Sequence, residues 1–151
     1  MSRSRLGISP VVATVILVAV AIVIAIAVAF WASGLVGIFT RFEKLEIRSA
    51  NAAPAAGGGY VVNLLVFNSG SSAATIDELY INGQPANGLG VTCNPADVCD
   101  GNPTTGAALN VGGNLNIQIN IPVGIFAPGV TIEVMVHSAS GKQYPTAVLL
   151  P

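Results

Sequence analysis

The sequence predicts an α+β protein, a long N-terminal hydrophobic α-helix followed by an immunoglobulin-like antiparallel β-sandwich head, and three observations carry that expectation. Residues 6–40 run for 35 positions without a charge. Beyond Phe42 the chain breaks into short stretches of alternating apolar and polar residues, separated by Gly, Pro, Asn and Ser. Composition is lopsided as well: of 151 residues, 52% are hydrophobic and 9% charged, against about 25% charged in an average soluble domain. Such a balance excludes disorder and disfavours a soluble monomer.

The helix comes first. Of the 32 residues at 8–39, 26 are apolar and none is charged. As a helix, the whole uncharged run would be on the order of 50 Å long, more than the roughly 20 residues that cross a bilayer. Residues 19–29 (AVAIVIAIAVA) also alternate with period two. A lone strand in lipid, however, leaves its backbone unsatisfied, and no turn signal precedes Gly34, so helix is favoured. Ser9 followed by Pro10 reads as an N-cap and first turn. Ala21, Ala25, Ala29, Ser33 and Gly37 recur at i+4, a ridge of small side chains along which another helix can pack closely. Alanine is abundant in this run, so the spacing also fits composition alone. The helix has no polar face, and outside a membrane it needs protein on all sides.

In front of the helix, Arg3 and Arg5 form a basic start. A cleaved secretory signal would have a shorter apolar core closed by a small-residue cut site, and none is seen here. The residues Arg5-Leu6-Gly7-Ile8-Ser9-Pro10-Val11-Val12-Ala13-Thr14 resemble the N-terminus of archaeal type IV pilins, a superfamily that includes archaellins. The resemblance is specific over residues 5–14 and compositional along the helix. Val12 stands where bacterial type IV pilins carry a glutamate, which points to the archaeal branch. The resemblance implies a leader at 1–7, removed by a prepilin peptidase between Gly7 and Ile8. It further implies a precursor held in the cytoplasmic membrane with its basic end inside, in keeping with the positive-inside rule. An assembly ATPase and membrane platform would then extract the subunits, which polymerise as copies of the same chain into an extracellular filament.

Residues 41–48 (RFEKLEIR) hold five of the 13 charges and read as the last helical turns or an extended stem, serving as a solvated collar or as inter-subunit ion pairs. With the helix they make a segment at 8–48. Residues 49–59, rich in Ala and Gly, read as a linker, which leaves a head at 60–151. There, Leu115, Ile117, Ile119 and Ile121 alternate with amides, and Val130, Ile132, Val134 and Val136 alternate with Thr131, Glu133, Met135 and His137. Further strands are expected at 60–67, 75–81, 90–93, 107–111 and 143–149. About seven short strands argue for the sandwich.

Chemistry is sparse in the head. Cys93 and Cys99 have no histidine nearby to complete a zinc site, and in an exported domain they read as a loop disulfide. Asn94, Asp97, Asp100 and Asn102 offer oxygens to Ca²⁺, but turn residues with local hydrogen bonds are the plainer reading. His137, the single histidine, lies on the outward phase of its strand with no nucleophile motif near it. Asp77 and Glu78, adjacent on a strand, should point to opposite faces. Tyr60, Tyr80 and Tyr144 are candidates for a carbohydrate site, although core-edge positions are commoner for such residues. No cofactor, metal site or catalytic residue is expected. The absence of a basic patch on the head gives nucleic acid no footprint.

The function expected is a structural subunit of an archaeal adhesion pilus, with helices in the filament core and heads outside. The alternatives are an archaellin of a swimming filament and a membrane-anchored binding module.

Overall fold

The computed structural model describes residues 10–34, 41–102 and 104–151. The chain divides into two units, residues 1–41 and 42–151. The first contains the helix α1, Pro10–Ala32, which is 23 residues or about 35 Å long. Gly34 ends it in the left-handed conformation (φ 69°), its amide donating to the Trp31 carbonyl at 3.2 Å; a residue without Cβ takes that C-terminal position at no steric cost. The described helix is therefore shorter than the 35-residue uncharged run allowed.

The second unit is built from nine strands among the described residues: β1 Leu45–Pro54, β2 Tyr60–Asn68, β3 Ala74–Ile81, β4 Gln84–Pro85, β5 Thr92–Asn94, β6 Ala107–Leu109, β7 Asn114–Ile121, β8 Thr131–Ser138 and β9 Gln143–Leu149. All the pairings are antiparallel. One sheet has the order β1-β2-β7-β5, and the other β4-β3-β8-β9 with β6 also on β3. The helix followed by two antiparallel sheets is the α+β architecture expected.

One core lies between the sheets. Val62, Leu64 and Val66 of β2 alternate with partly exposed neighbours, as do Ile117 and Ile119 of β7 and Ile132, Val134 and Val136 of β8, and all eight are 0% exposed. Alternation is the only pattern that lets a strand bury one face and wet the other. Burying a side chain of this size stabilises by about 1.5–3 kcal/mol before chain entropy is charged against it. The β1 and β9 edges meet on one side of the sandwich. On the other, the short helical turns Ala86–Leu89 and Ala96–Val98 both pack against β3, the second also against β5, with Ala86, Val91, Val98 and Cys99 in the core.

Two sequence expectations change here. The stretch read as helix or stem at 41–48 and as linker at 49–59 belongs to the head. Lys44 O accepts from Ser69 N and Phe42 O from Ser71 N, each at 2.9 Å. From Leu45 the chain is β1, in register with β2 from Leu45↔Asn68 to Pro54↔Tyr60. Only 55–59 remain as a turn, where Gly58 and Gly59 take φ of 85° and 80°. The small, weakly β-forming residues of β1 are held by the ladder β2 offers, which outweighs their propensity. The second change is β4, which folds back from β3 through Asn82 (φ 50°) and Gly83 (φ 78°), the two-residue turn whose positive φ values match strand twist.

Candidate functional site

The first candidate surface is the helix. None of its residues is buried, and Trp31 is 76% exposed at its C-terminal end. It is the one described helix long and apolar enough to cross a membrane. Its polar side chains are turned inward: the Thr14 hydroxyl donates to Val11 O at 2.9 Å and the Ser33 hydroxyl to Phe30 O at 3.0 Å. Hydroxyls bonded to the preceding turn carry little cost into an apolar medium. Ala21, Ala25 and Ala29 lie on the helix, and Ser33 continues their row in the terminal turn, its amide donating to Ala29 O at 2.9 Å. Beside that row an open apolar furrow is lined by Ala13, Ile16, Leu17, Val20, Ala21 and Ile24. Gly7 and Ile8 of the expected cleavage point, Ser9 of the expected cap, and Gly37 of the ridge lie outside the described residues.

On the head, the outer face of the second sheet gathers most of the strands' acidic groups. A bulge between Ile76 and Glu78 breaks the alternation of β3. Asp77 is consequently not opposed to Glu78 across the sheet, as strict alternation required. Its Oδ1 lies 2.7 Å from Nδ1 of His137, the residue that pairs with Glu78. On the same face the Tyr80 hydroxyl donates to Glu78 Oε2 at 2.8 Å, and the Tyr80 and His137 rings meet edge to face at 6.2 Å. This hydrogen bond, with burial second, raises the Tyr80 phenol above its ordinary value. The partners of the imidazole are thus a carboxylate and an aromatic ring, which fix its orientation. Tyr60 sits in the core and Tyr144 packs against it, so the three tyrosines do not share a face.

The outer face of the first sheet is different. Register aligns Asn51 with Asn63, Asn63 with Gln118, and Gln118 with Asn94, a row of four carboxamides across all four strands. Asn114, Asn116 and Asn120 extend it along β7, and all three are exposed. Charge enters only at one end, where Lys44 pairs with Glu46 at 2.8 Å and the Arg48 guanidinium lies 3.4 Å from the Phe67 ring centre. Three of the five charged side chains of 41–48, Lys44, Glu46 and Arg48, thus have partners within the chain.

Cys93 and Cys99 are disulfide-bonded, with Cα atoms 5.7 Å apart. Next to them, two of the four side chains considered for Ca²⁺, Asp100 and Asn102, are engaged locally. Asp100 accepts from Asn102 N at 2.8 Å and from the Thr105 hydroxyl at 2.7 Å, while Asn102 Oδ1 accepts from Thr104 N and Oγ1. These bonds, Thr105 first, hold the Asp100 carboxyl below its ordinary value. Among the described residues no group of three or more His, Cys, Asp or Glu side chains is placed to hold a metal ion.

Sequence reading missed Asn68. Fully buried, it donates from Nδ2 to Ser72 O (2.9 Å) and Leu109 O (3.0 Å) and accepts from Gly70 N (2.9 Å). Its neighbours Ser-Gly-Ser-Ser signal a turn, but nothing local marks one asparagine as the hub.

An apolar, membrane-length helix joined to a two-sheet β head is the class these features define. No protein-family profile matches the chain and no curated protein matches it significantly. Among solved structures, one described as the Iho670 flagellar-like filament is similar, with 15% identity over 94% of this chain and 98% of that chain and a TM-score of 0.40. So coarse a likeness carries no weight, and function rests on the residues of this chain.

Proposed function

We propose that this chain is the structural subunit of an extracellular archaeal type IV adhesion pilus, synthesised as a membrane-held precursor and assembled with copies of itself. The supporting observation is a 23-residue helix that is apolar on every face, with none of its own residues buried. Such a surface has two acceptable environments, the bilayer and a bundle of identical helices. The residues around Gly7 and Ile8 add the means of passing from one to the other. Processing by a prepilin peptidase would free the Ile8 end, and the ATPase-driven platform would move the helix from lipid into the filament. On this reading the chain performs no catalysis, and its head presents the outer surface.

A second reading, the membrane-anchored binding module, gains from the described helix length. About 35 Å is close to what an anchor requires, so length does not by itself demand a polymer. An archaellin remains the alternative within the filament class.

Electron microscopy of surface filaments, combined with mass spectrometry of their subunit, tests the proposal. A subunit beginning at Ile8 in helical filaments is the expected result. Recovery of the intact Met1 start only from detergent-solubilised membranes would sink it.

A further inference from the structure

We infer that the head docks end to end on a second copy of this chain, the pole that carries the β7–β8 loop meeting the pole at which the next copy's chain enters its head. This inference rests on the filament reading and deepens it.

Strand directions give the head two poles. At the entry pole β1, β3, β7 and β9 begin and β2, β6 and β8 end; the far pole carries residues 55–59, residues 122–130 and the end of β9. Phe42 and Val111 belong to the entry pole, because Phe42 O accepts from Ser71 N at 2.9 Å and Gly112 N donates to Asn68 O at 2.9 Å, both within the same turn. Val130 and Leu149 belong to the far pole, where Leu150 N donates to Val130 O at 2.9 Å, and Val123 lies there against Gly58. Among the described residues of the head, these five are the large apolar side chains left exposed: Phe42 at 52% and Val111 at 54% on one pole, Val123 at 71%, Leu149 at 63% and Val130 on the other. Single exposed apolar residues are ordinary, but their confinement to two opposite ends marks contact surfaces.

Symmetry and charge select the partner. Copies in a filament share one orientation, so a contact joins two different surfaces, the heterologous arrangement that propagates as an open helical polymer. This head has apolar side chains on both of the ends that such a contact joins. Charge favours the same pairing. No Lys or Arg occurs from Ser49 to Gly141; the exposed Lys44 and Lys142 stand at the entry pole and the exposed Glu133 toward the far one. Docking far pole on entry pole brings this carboxylate toward amines, whereas two entry poles would bring amines together. A lipid surface would accept the apolar side chains of the far pole but leaves Phe42 and Val111 uncovered. A second copy uses both ends.

The test is cross-linking of the full-length chain. Val111→Cys and Val123→Cys are introduced together, the two native cysteines being bonded to each other. Within one chain the two positions flank β7, eight residues long, or roughly 26 Å of strand, beyond the reach of a short bis-maleimide. In purified filaments that contain only this chain, the expected result is a ladder of covalently joined chains from the double variant and no product from either single variant. Leu149→Cys with Val111→Cys gives a second pair should the first fail to assemble. Filaments in which neither pair yields a ladder would overturn the docking while leaving the filament reading intact. Dimers from Val123→Cys alone would show like poles in contact and overturn it as well. Absence of a ladder together with binding of the filaments to phosphatidylcholine vesicles would reassign the far pole to lipid, which also overturns it. Failure of the unsubstituted chain to form filaments would remove the filament reading, and this inference with it.

Discussion

The Nδ1 atom of His137 lies 2.7 Å from Oδ1 of Asp77, a carboxylate that reaches the outer face because a bulge displaces it from the alternation of β3. The Asp77 side chain is 8% exposed and that of His137 24%. An ionised carboxylate only accepts, so the ring donates from Nδ1. Replacing His137 with Ala strands a nearly buried carboxylate and should cost about 1–3 kcal/mol. Urea unfolding of the full chain in detergent checks this; a loss below a few tenths would mean that water satisfies Asp77 equally well.

Asn68 bonds three backbone groups from a fully buried position, two in the turn at residues 70–72 and one on β6. Asn68→Ala removes all three bonds and leaves the Leu109 carbonyl without this donor, for an expected loss of about 2–3 kcal/mol. The same unfolding measurement should place this variant among the most destabilised polar-to-alanine changes in the head.

For the helix, the Ala29 position separates lateral packing from mere hydrophobicity. Ala29→Leu keeps the segment apolar but fills the small-residue row. We expect filament yield to fall sharply while near-ultraviolet circular dichroism of the head stays native. Normal filaments from the variant would make the row incidental.

The Cys93–Cys99 bridge spans a sequence separation of six, a short loop for which the chain-entropy account gives about 2 kcal/mol. Replacing both with Ala should lower stability by about that amount. Because Val98 and Ala86 remain core residues at 0% exposure, the variant should still fold. Unfolding under reducing conditions should then change the parent but not the double variant.

Alkaline stability follows from the tyrosines. Burial chiefly raises Tyr144, outweighing an interaction of its hydroxyl with the Leu45 backbone that acts in the opposite sense, and the Glu43 charge adds to the rise. The hydrogen bond to Glu78, ahead of burial, raises Tyr80. The folded chain therefore holds these protons more tightly than the unfolded one. Stability present below about pH 10 should fall as pH rises through the elevated folded values. Tyr80→Phe and Tyr144→Phe should each flatten that decline in pH-dependent thermal unfolding.

Much of the fold was legible because its signals are local. Residues 114–121 and 131–138 announce themselves by alternation, and the helix by its unbroken apolar run. The β1 strand was not legible, since Ser49-Ala50-Asn51-Ala52-Ala53 has neither β-branched residues nor alternation; it is a strand because β2 pairs with it at nearly every position. The expectation that Asp77 and Glu78 diverge failed because a bulge is set by cross-strand register, which no short window of sequence contains. The candidate surfaces divide in the same way. The small-residue row is visible as spacing along one helix, but the carboxamide row joins residues 51, 63, 94 and 118, which only pairing brings side by side.

By itself the sequence determined that a membrane-length apolar helix precedes an antiparallel β head, because hydrophobic periodicity and charge are properties of neighbouring residues. Tertiary structure alone decided where the head begins, which side of the sheet Asp77 faces, and that Asn68 becomes a buried hub while Asn51, Asn63 and Asn94 join an uncharged outer row. Those outcomes depend on hydrogen bonds and register between distant strands, and a strand's identity, its face and its neighbours are settled only when its partner is in place.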